Sequence, residues 1–304
     1  MPPLFSSEDS SLLERLASRA PSENVPVLLA LAQAQCSRRR PHDLVAQYER
    51  DLFVAPSPLD LRLAHRLDAL ALEAAPEFEA VLLSPLAPLG SCSVVAPMSQ
   101  DRAVSTIRVT EVVSDPTNVL ALECARRLAR TNDRPVRLCT LHQVTRAQSV
   151  PAKSGFTQHF RLFALAEAGV ALGEHRFEVN AMSSHAAAFI RMLDAAEAIG
   201  CTFPERRADL LVGPRGRAIA DRLGAELGRL LPGLRVVEGP LESSYYDGVR
   251  LLVGASSASG AHIQLGDIGL FDWMEKLTAN RGNRFVASGL GIQLLPLLFR
   301  AKTV

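Results

Sequence analysis

Residues 135 to 169 constrain this chain more than any other stretch. PVRLCTLHQVTRAQ (Pro135 to Gln148) and FTQHFRLFALAEAG (Phe156 to Gly169) each carry a strand-forming run, and Ser149, Pro151, Lys153 and Gly155 lie between them. A strand over Val136 to Thr145, a Ser/Pro/Lys/Gly loop and a second strand over Phe156 to Ala166 predict an antiparallel hairpin. A lone hairpin is barely stable in water, so other elements must cover its faces.

The flanking sequence supplies such elements. Residues 8 to 36 read as two helices, the first capped by Ser10 or Ser11 and the second starting near Pro26 after a break at Pro21. Residues 42 to 53 and 58 to 75 are helical again, the latter with six leucines from Leu59 to Leu72. Phe78 to Leu83, Val94-Val95 and Ser105 to Val113 read as strands. Asp115-Pro116-Thr117-Asn118 marks a turn or cap before a helix over Leu120 to Arg130. Beyond the hairpin, 183 to 199 and 216 to 231 read as helices, and Asp209 to Val212 and Leu234 to Val237 as strands. Further strands fall around Tyr245 to Gly248 and Ala261 to Leu265, then a helix from Phe271. The expected fold is α/β in the α+β sense. An antiparallel sheet flanked by helices occupies residues 56–304, behind a helical N-terminal extension, residues 1–55.

Composition removes several classes of function. Lys plus Arg total 33 against 32 for Asp plus Glu, so no global field gathers nucleic acid or anionic membrane. The densest basic run, Arg38-Arg39-Arg40 before Pro41, is read as a solvated helix end. Five cysteines (Cys36, Cys92, Cys124, Cys139, Cys201) show no CxxC pairing, which points to reduced, mostly buried thiols in a reducing compartment. The N-terminus lacks the apolar core of a secretory signal, and no run reaches the ~20 apolar residues of a membrane span. A cytoplasmic location with no membrane contact is the expectation.

Four segments, in order, resemble the class II aminoacyl-tRNA synthetases. The likeness is to the histidyl-tRNA synthetase branch, which includes the regulatory subunit of ATP phosphoribosyltransferase, and it covers roughly residues 80 to 300. The hairpin resembles motif 2. That resemblance implies that Arg146 holds an α-phosphate and a substrate carboxylate and that Phe156 stacks on adenine. Phe156-Thr157-Gln158 resembles the family's run at this place, which brings Gln158 to the ligand, and Phe160 is the alternative stacking ring. SYYDG, with Tyr245 and Tyr246, resembles the segment lining the amino-acid pocket; core and rim positions on a strand are the other reading of the pair. GLFD, ending in Asp272, resembles a pocket turn, and SGLGIQLLPLLF, with Gly289 and Gly291, resembles motif 3.

The departures cluster on charge. Gln293-Leu294 stand where motif 3 carries glutamate and the arginine that grips the γ-phosphate. Gln148, Ser154, Leu162, Leu241 and Leu270 likewise replace charged residues of the family pattern, while Lys153 is kept. Glu167, the acid nearest Leu162, lies an odd number of residues on and so on the opposite strand face. Losing a cation that grips a transferring phosphate costs several powers of ten in rate. Only Arg300 to Val304 follow motif 3, so tRNA recognition in the family manner is not expected.

The resemblance therefore implies a paralogue that does not charge tRNA, binding an amino acid or adenine nucleotide as a regulatory or interaction protein. The alternatives are a small adenylate-forming ligase and a structural dimer with an empty pocket. A homodimer through elements near motif 1 is implied, and a separate protein partner is left open. The ligand is unnamed, with ATP or AMP and Mg²⁺ as the cofactors the family uses.

Other candidates are weaker. Cys92 in the Ser91-Cys92-Ser93 turn has no histidine partner in the pattern, and a packed small residue is the favoured reading. His142 and His159 fall on facing strands without a third metal ligand. Alternation puts Thr106, Arg108 and Thr110 on one strand face, where Arg108 suits a carboxylate or phosphate, or else a solvated or dimer surface. Gly213-Pro214-Arg215-Gly216 resembles an anion-binding loop but lacks the full glycine pattern. Trp273 is read as a helix anchor.

Overall fold

The computed structural model describes residues 6–130, 135–147, 157–257 and 260–300. The chain opens with α1 (Ser7–Ala17), α2 (Pro21–Cys36) and α3 (Pro41–Arg50), none of which buries a residue. Ser6, rather than Ser10 or Ser11, caps α1, because Ser6 and Asp9 each accept the other's backbone N–H. α2 begins at Pro21, whose fixed φ suits a first helical position, and runs on through Pro26. α4 (Leu61–Glu73) is capped by the Asp60 carboxylate and buries Leu67 and Ala71.

Short strands β1 (Glu79–Ala80), β2 (Leu86–Pro88) and β3 (Thr110–Val112) lead to α5 (Pro116–Leu128), where Asp115 accepts the Thr117 N–H. The hairpin follows as β4 (Val136–Thr145) and β5 (His159–Val170), antiparallel from Val136 opposite Ala168 to Thr145 opposite His159. Next come α6 (Arg176–Glu197), β6 (Arg207–Val212), α7 (Arg217–Leu230), β7 (Arg235–Pro240), β8 (Val249–Ser256) and β9 (His262–Phe271). α8 (Trp273–Thr278), β10 (Asn283–Leu290) and α9 (Leu294–Phe299) complete the fold.

Eight strands form one sheet in the order β1-β4-β5-β10-β9-β8-β6-β7. Pairing is parallel only at the two edges, β1 with β4 and β6 with β7, and antiparallel between. Alternation splits the core in two. Phe163, Leu165, Val286 and Leu251 pack with Met182 and Phe189 of α6 on one face. Ala164, Ala166, Leu138 and Phe285 pack with Leu120 and Trp273 on the other. No helix among the described residues is long and apolar enough to cross a membrane.

Four expected strands differ. Phe78 to Leu83 is strand only over Glu79–Ala80. Val94-Val95 lies in a wide helical turn, Ser91–Val95, because the buried Glu111 carboxylate accepts the N–H groups of Gly90 and Cys92 and takes them from any ladder. Ser105 to Val113 is strand only from Thr110. Thr106 and Thr110 join through their hydroxyls at 2.6 Å, closing a tight turn with Val109 at φ 57°. The Tyr245 to Gly248 stretch is a turn, and β8 starts at Val249. That turn packs on the Gly213 to Gly216 loop: the Gly213 N–H donates to Gly248 O at 2.8 Å, and a Cβ on Gly216 would fall 2.0 Å from the same oxygen. The loop's glycines thus serve close backbone packing, with the Gly213 and Gly216 N–H groups both engaged within the protein.

Candidate functional site

A cavity of about 670 Å³ opens on the sheet face opposite α6. Its residues come from β5, β8, β9 and β10, the N-terminus of α5, and the turns around Arg102 and Tyr245.

Arg146 lies just past β4, and the pairing of Val144 with Phe160 puts Arg146 and Phe160 on one face. Its guanidinium stands 5.1 Å from the Phe160 ring centre. Nε donates to Ser114 O at 2.9 Å, and Nη2 reaches Asp115 Oδ2 at 3.4 Å. The cation is therefore aimed by the α5 N-cap and an aromatic face. Phe156 lies outside the described residues, as do Gln148, Lys153 and Ser154.

On the opposite side, Arg250 and Asp267 form a bidentate pair, with Nε to Oδ1 at 3.0 Å and Nη2 to Oδ2 at 2.7 Å. The Tyr246 hydroxyl donates to the same Oδ2 at 2.7 Å. Tyr245 packs edge-on to Tyr246 and Phe271, and Trp273 stacks on Phe271 at 4.1 Å as an anchor for α8. Burial raises both tyrosine hydroxyls; Asp115 and Asp267 push Tyr245 further up against the opposing pull of Arg146 and Arg102. Tyr245 thus sits within the field of both ends of the cavity.

The motif 3-like segment forms a third side. A Cβ on Gly289 would meet nothing within 4 Å, so the absent side chain leaves open space. Gln293 is buried, and its Oε1 accepts the Arg161 backbone N–H at 3.3 Å. Leu294 lines the cavity beside Gly291. Arg161 lines it too, with its guanidinium held by Asp68 of α4.

The structure thus gathers Arg146, Phe160, Tyr245, Tyr246, Gly289 and Gly291 around one cavity. Gln158 holds the hairpin through its carbonyl, which accepts the Arg146 N–H at 2.8 Å, and is not among the lining residues. Arg108 is exposed at the tip of the Thr106–Thr110 turn and is not among the residues lining this cavity, since the chain there bends instead of extending as a strand. Asp272 sits at the start of α8, paired with Lys276 at 2.8 Å, while Asp267 supplies the carboxylate. Leu270 faces the α6 core, so the arginine expected there would not have reached the cavity through the strand alternation seen here. Glu167 is on that far face, paired with Arg137 at 2.9 Å and raised by burial. Cys92 lines the cavity but is buried, and burial raises its thiol, which fits the packed reading.

Arg102, Arg161, Arg250 and Asp267 were not singled out from sequence. A charged residue inside an apolar strand, as in VRLLVGAS and IQLGDIGLF, was the available signal. Four arginines and two aspartates line the cavity, and three of those arginines pair with Asp115, Asp68 and Asp267; the N–H donors that Arg146 keeps suit a phosphate or carboxylate.

Mg²⁺ fits less well. Asp115 is engaged with the Thr117 backbone, the Thr117 hydroxyl and Arg146, and Asp267 with Arg250 and Tyr246, so both lining carboxylates are committed. Among the described residues no group of three His, Cys, Asp or Glu side chains is placed to hold a metal. His159 is engaged through both ring nitrogens, with Gln143 at 2.9 Å and Ala55 O at 2.7 Å.

The sheet order and the cavity define a class II synthetase-like core. Among solved structures the chain is similar to an apo histidyl-tRNA synthetase from S. aureus, with TM-score 0.60 and 12% identity over 79% of this chain and 66% of that one. It is similar also to an ATP phosphoribosyltransferase regulatory subunit/histidyl-tRNA synthetase from Bacillus halodurans, with TM-score 0.55 and 14% identity over 79% and 81% of the two chains. A histidine–tRNA ligase subunit from Alicyclobacillus acidocaldarius gives TM-score 0.55 and 13% identity over 79% and 95%. The chain spans just under two thirds of the S. aureus enzyme, and at these identities the likeness is one of fold. No protein-family model and no curated protein matches the chain.

Proposed function

We propose that this protein is a synthetase-fold paralogue that does not charge tRNA and binds a small metabolite, an amino acid or an adenine nucleotide, as a cytoplasmic regulatory or interaction protein. One observation carries the proposal. Arg146 is poised over Phe160 at one side of the cavity, while Gln293 and Leu294, an amide and an alkyl group, form the side where the family pattern sets its charge pair. Arg146 keeps donors for a phosphate or carboxylate, with Phe160, and Phe156 by resemblance, as the stacking rings. The outer phosphates of a nucleoside triphosphate would meet Leu294, and the Arg161 guanidinium is already paired with Asp68.

Thermal shift and calorimetry with AMP, ADP, ATP and single amino acids test this, alongside pyrophosphate exchange. Binding without exchange supports it; amino-acid-dependent exchange favours the adenylate-forming ligase.

A two-fold homodimer belongs to the same proposal. Leu82 is 97% exposed and Val94 81%, and Leu86 and Leu89 between them are exposed as well. These four exposed apolar side chains fall within residues 82–94, apolar area that a second copy would cover. Sedimentation at tens of micromolar is expected to show a dimer and Leu82→Asp to weaken it; a wild-type monomer there refutes the dimer.

A further inference from the structure

Arg146 and Arg250 line the cavity from opposite sides, and the second has hydrogen-bond donors to spare. β8 and β9 run antiparallel with Arg250 opposite Gly269 and Leu252 opposite Asp267, so Arg250 and Asp267 are diagonal neighbours on the cavity face. Asp267 takes the side edge of the guanidinium, made of Nε and Nη2. The Tyr246 ring centre lies 4.6 Å from the guanidinium carbon, and its hydroxyl donates to Asp267 Oδ2. The arginine is thus held in one orientation while its side chain stays 26% exposed in the cavity wall.

A guanidinium carries five N–H donors, one on Nε and two on each Nη. The bonds to Asp267 use the one on Nε and one on Nη2, so both on Nη1 and the second on Nη2 have no partner among the described residues. The end edge, one N–H from each Nη in parallel, is therefore free and offers donors only. Between Arg250 and the Arg146 side the floor is bare backbone: Gly289 stands opposite Asp267 on β9 and Ala164 on β5, and a Cβ on Gly289 would meet nothing within 4 Å.

We propose that the free end of Arg250 receives a carboxylate, and that the ligand is a dicarboxylic amino acid with one acid group at Arg146 and the other at Arg250. This rests on the ligand-binding function proposed above and names the class of metabolite it serves. The two oxygens of a carboxylate match two parallel N–H groups, and both bonds are charge-assisted. An ammonium group at the same place sets donors against donors, and an alkyl group leaves the arginine's donors without a partner once water is displaced. Asp267 occupies a different edge, so it orients the arginine without contesting that place.

Calorimetry with L-aspartate, L-glutamate, L-norvaline and L-ornithine, and with AMP, tests this on wild type, Arg250→Met and Arg250→Lys. The wild type is expected to favour one of the two acids over both L-norvaline and L-ornithine by about ten-fold or more, the worth of one charge-assisted hydrogen bond. Arg250→Met is expected to bring that acid level with L-norvaline. Arg250→Lys keeps a cation beside Asp267 and is expected to lose most of the preference too, since an ammonium offers no parallel pair of donors. An arginine that serves only to join β8 to β9 leaves the ranking unchanged, so folded variants that keep the wild-type preference overturn the proposal. A wild type that binds L-norvaline or L-ornithine as well as the acids, or binds AMP and no amino acid, overturns it and leaves the ligand-binding function standing. No binding of any probe overturns both. The wild-type ranking decides the matter even if a variant fails to fold.

Discussion

Replacing His185 should remove about 2 kcal/mol of the stability the protein loses between pH 8 and pH 5. His185 lies on α6, fully buried, behind the strand that carries Gly289 to the cavity. Its Nδ1 bonds the Ser288 hydroxyl at 2.8 Å, its Nε2 has no partner, and Phe78 packs edge-on at 5.2 Å. Burial, with a smaller push from Arg137, lowers its pKa to about 3. The unfolded chain takes up the proton near the ordinary value of about 6.5, so acid favours the unfolded state across the window from there down to about 3. Above that window the residue contributes no pH dependence. At pH 5 the difference in proton uptake amounts to about 2 kcal/mol, from 1.36 kcal/mol per pH unit over about 1.5 units. Urea denaturation of wild type and His185→Gln at the two pH values isolates it, because carboxylate contributions are common to both proteins. A variant that loses as much stability as the wild type would refute the reasoning.

Two further perturbations probe the framework around the cavity. Glu111→Gln should destabilise the fold by about 2–4 kcal/mol, because the carboxylate accepts from Gly90 N, Cys92 N and Gln100 Nε2 at 2.7 to 2.9 Å and an amide cannot accept all three; the urea midpoint reads the loss. Deleting residues 1–50 should change core stability by no more than about 1 kcal/mol, since α1, α2 and α3 bury no residue; failure of the truncated chain to fold would refute the proposed division near residue 55.

The hairpin and the order of the elements after it were legible because each rests on local pattern. β4 matches its expected bounds, and the Asp115-Pro116 cap places α5. Motif resemblance named Arg146, Phe160 and both tyrosines, which line one cavity because of strand alternation and a turn. Arg108, named from strand alternation, lies away from the cavity because Glu111 turns inward to bind Gly90 and Cys92 and the chain ahead of it bends instead of extending. Arg250 and Asp267 lie 17 residues apart and meet only through the register of β8 and β9, which no local pattern sets. Arg161 is likewise tied to Asp68, 93 residues earlier.

Calorimetry with AMP, ADP and ATP, each with and without Mg²⁺, tests the central claim most directly. With Leu294 lining the cavity and Arg161 held by Asp68, AMP should bind about as well as ATP, Mg²⁺ should add little, and Arg146→Ala should weaken both by about ten-fold or more. A preference for MgATP over AMP of ten-fold or greater, about 1.4 kcal/mol, together with amino-acid-dependent pyrophosphate exchange, would contradict the account.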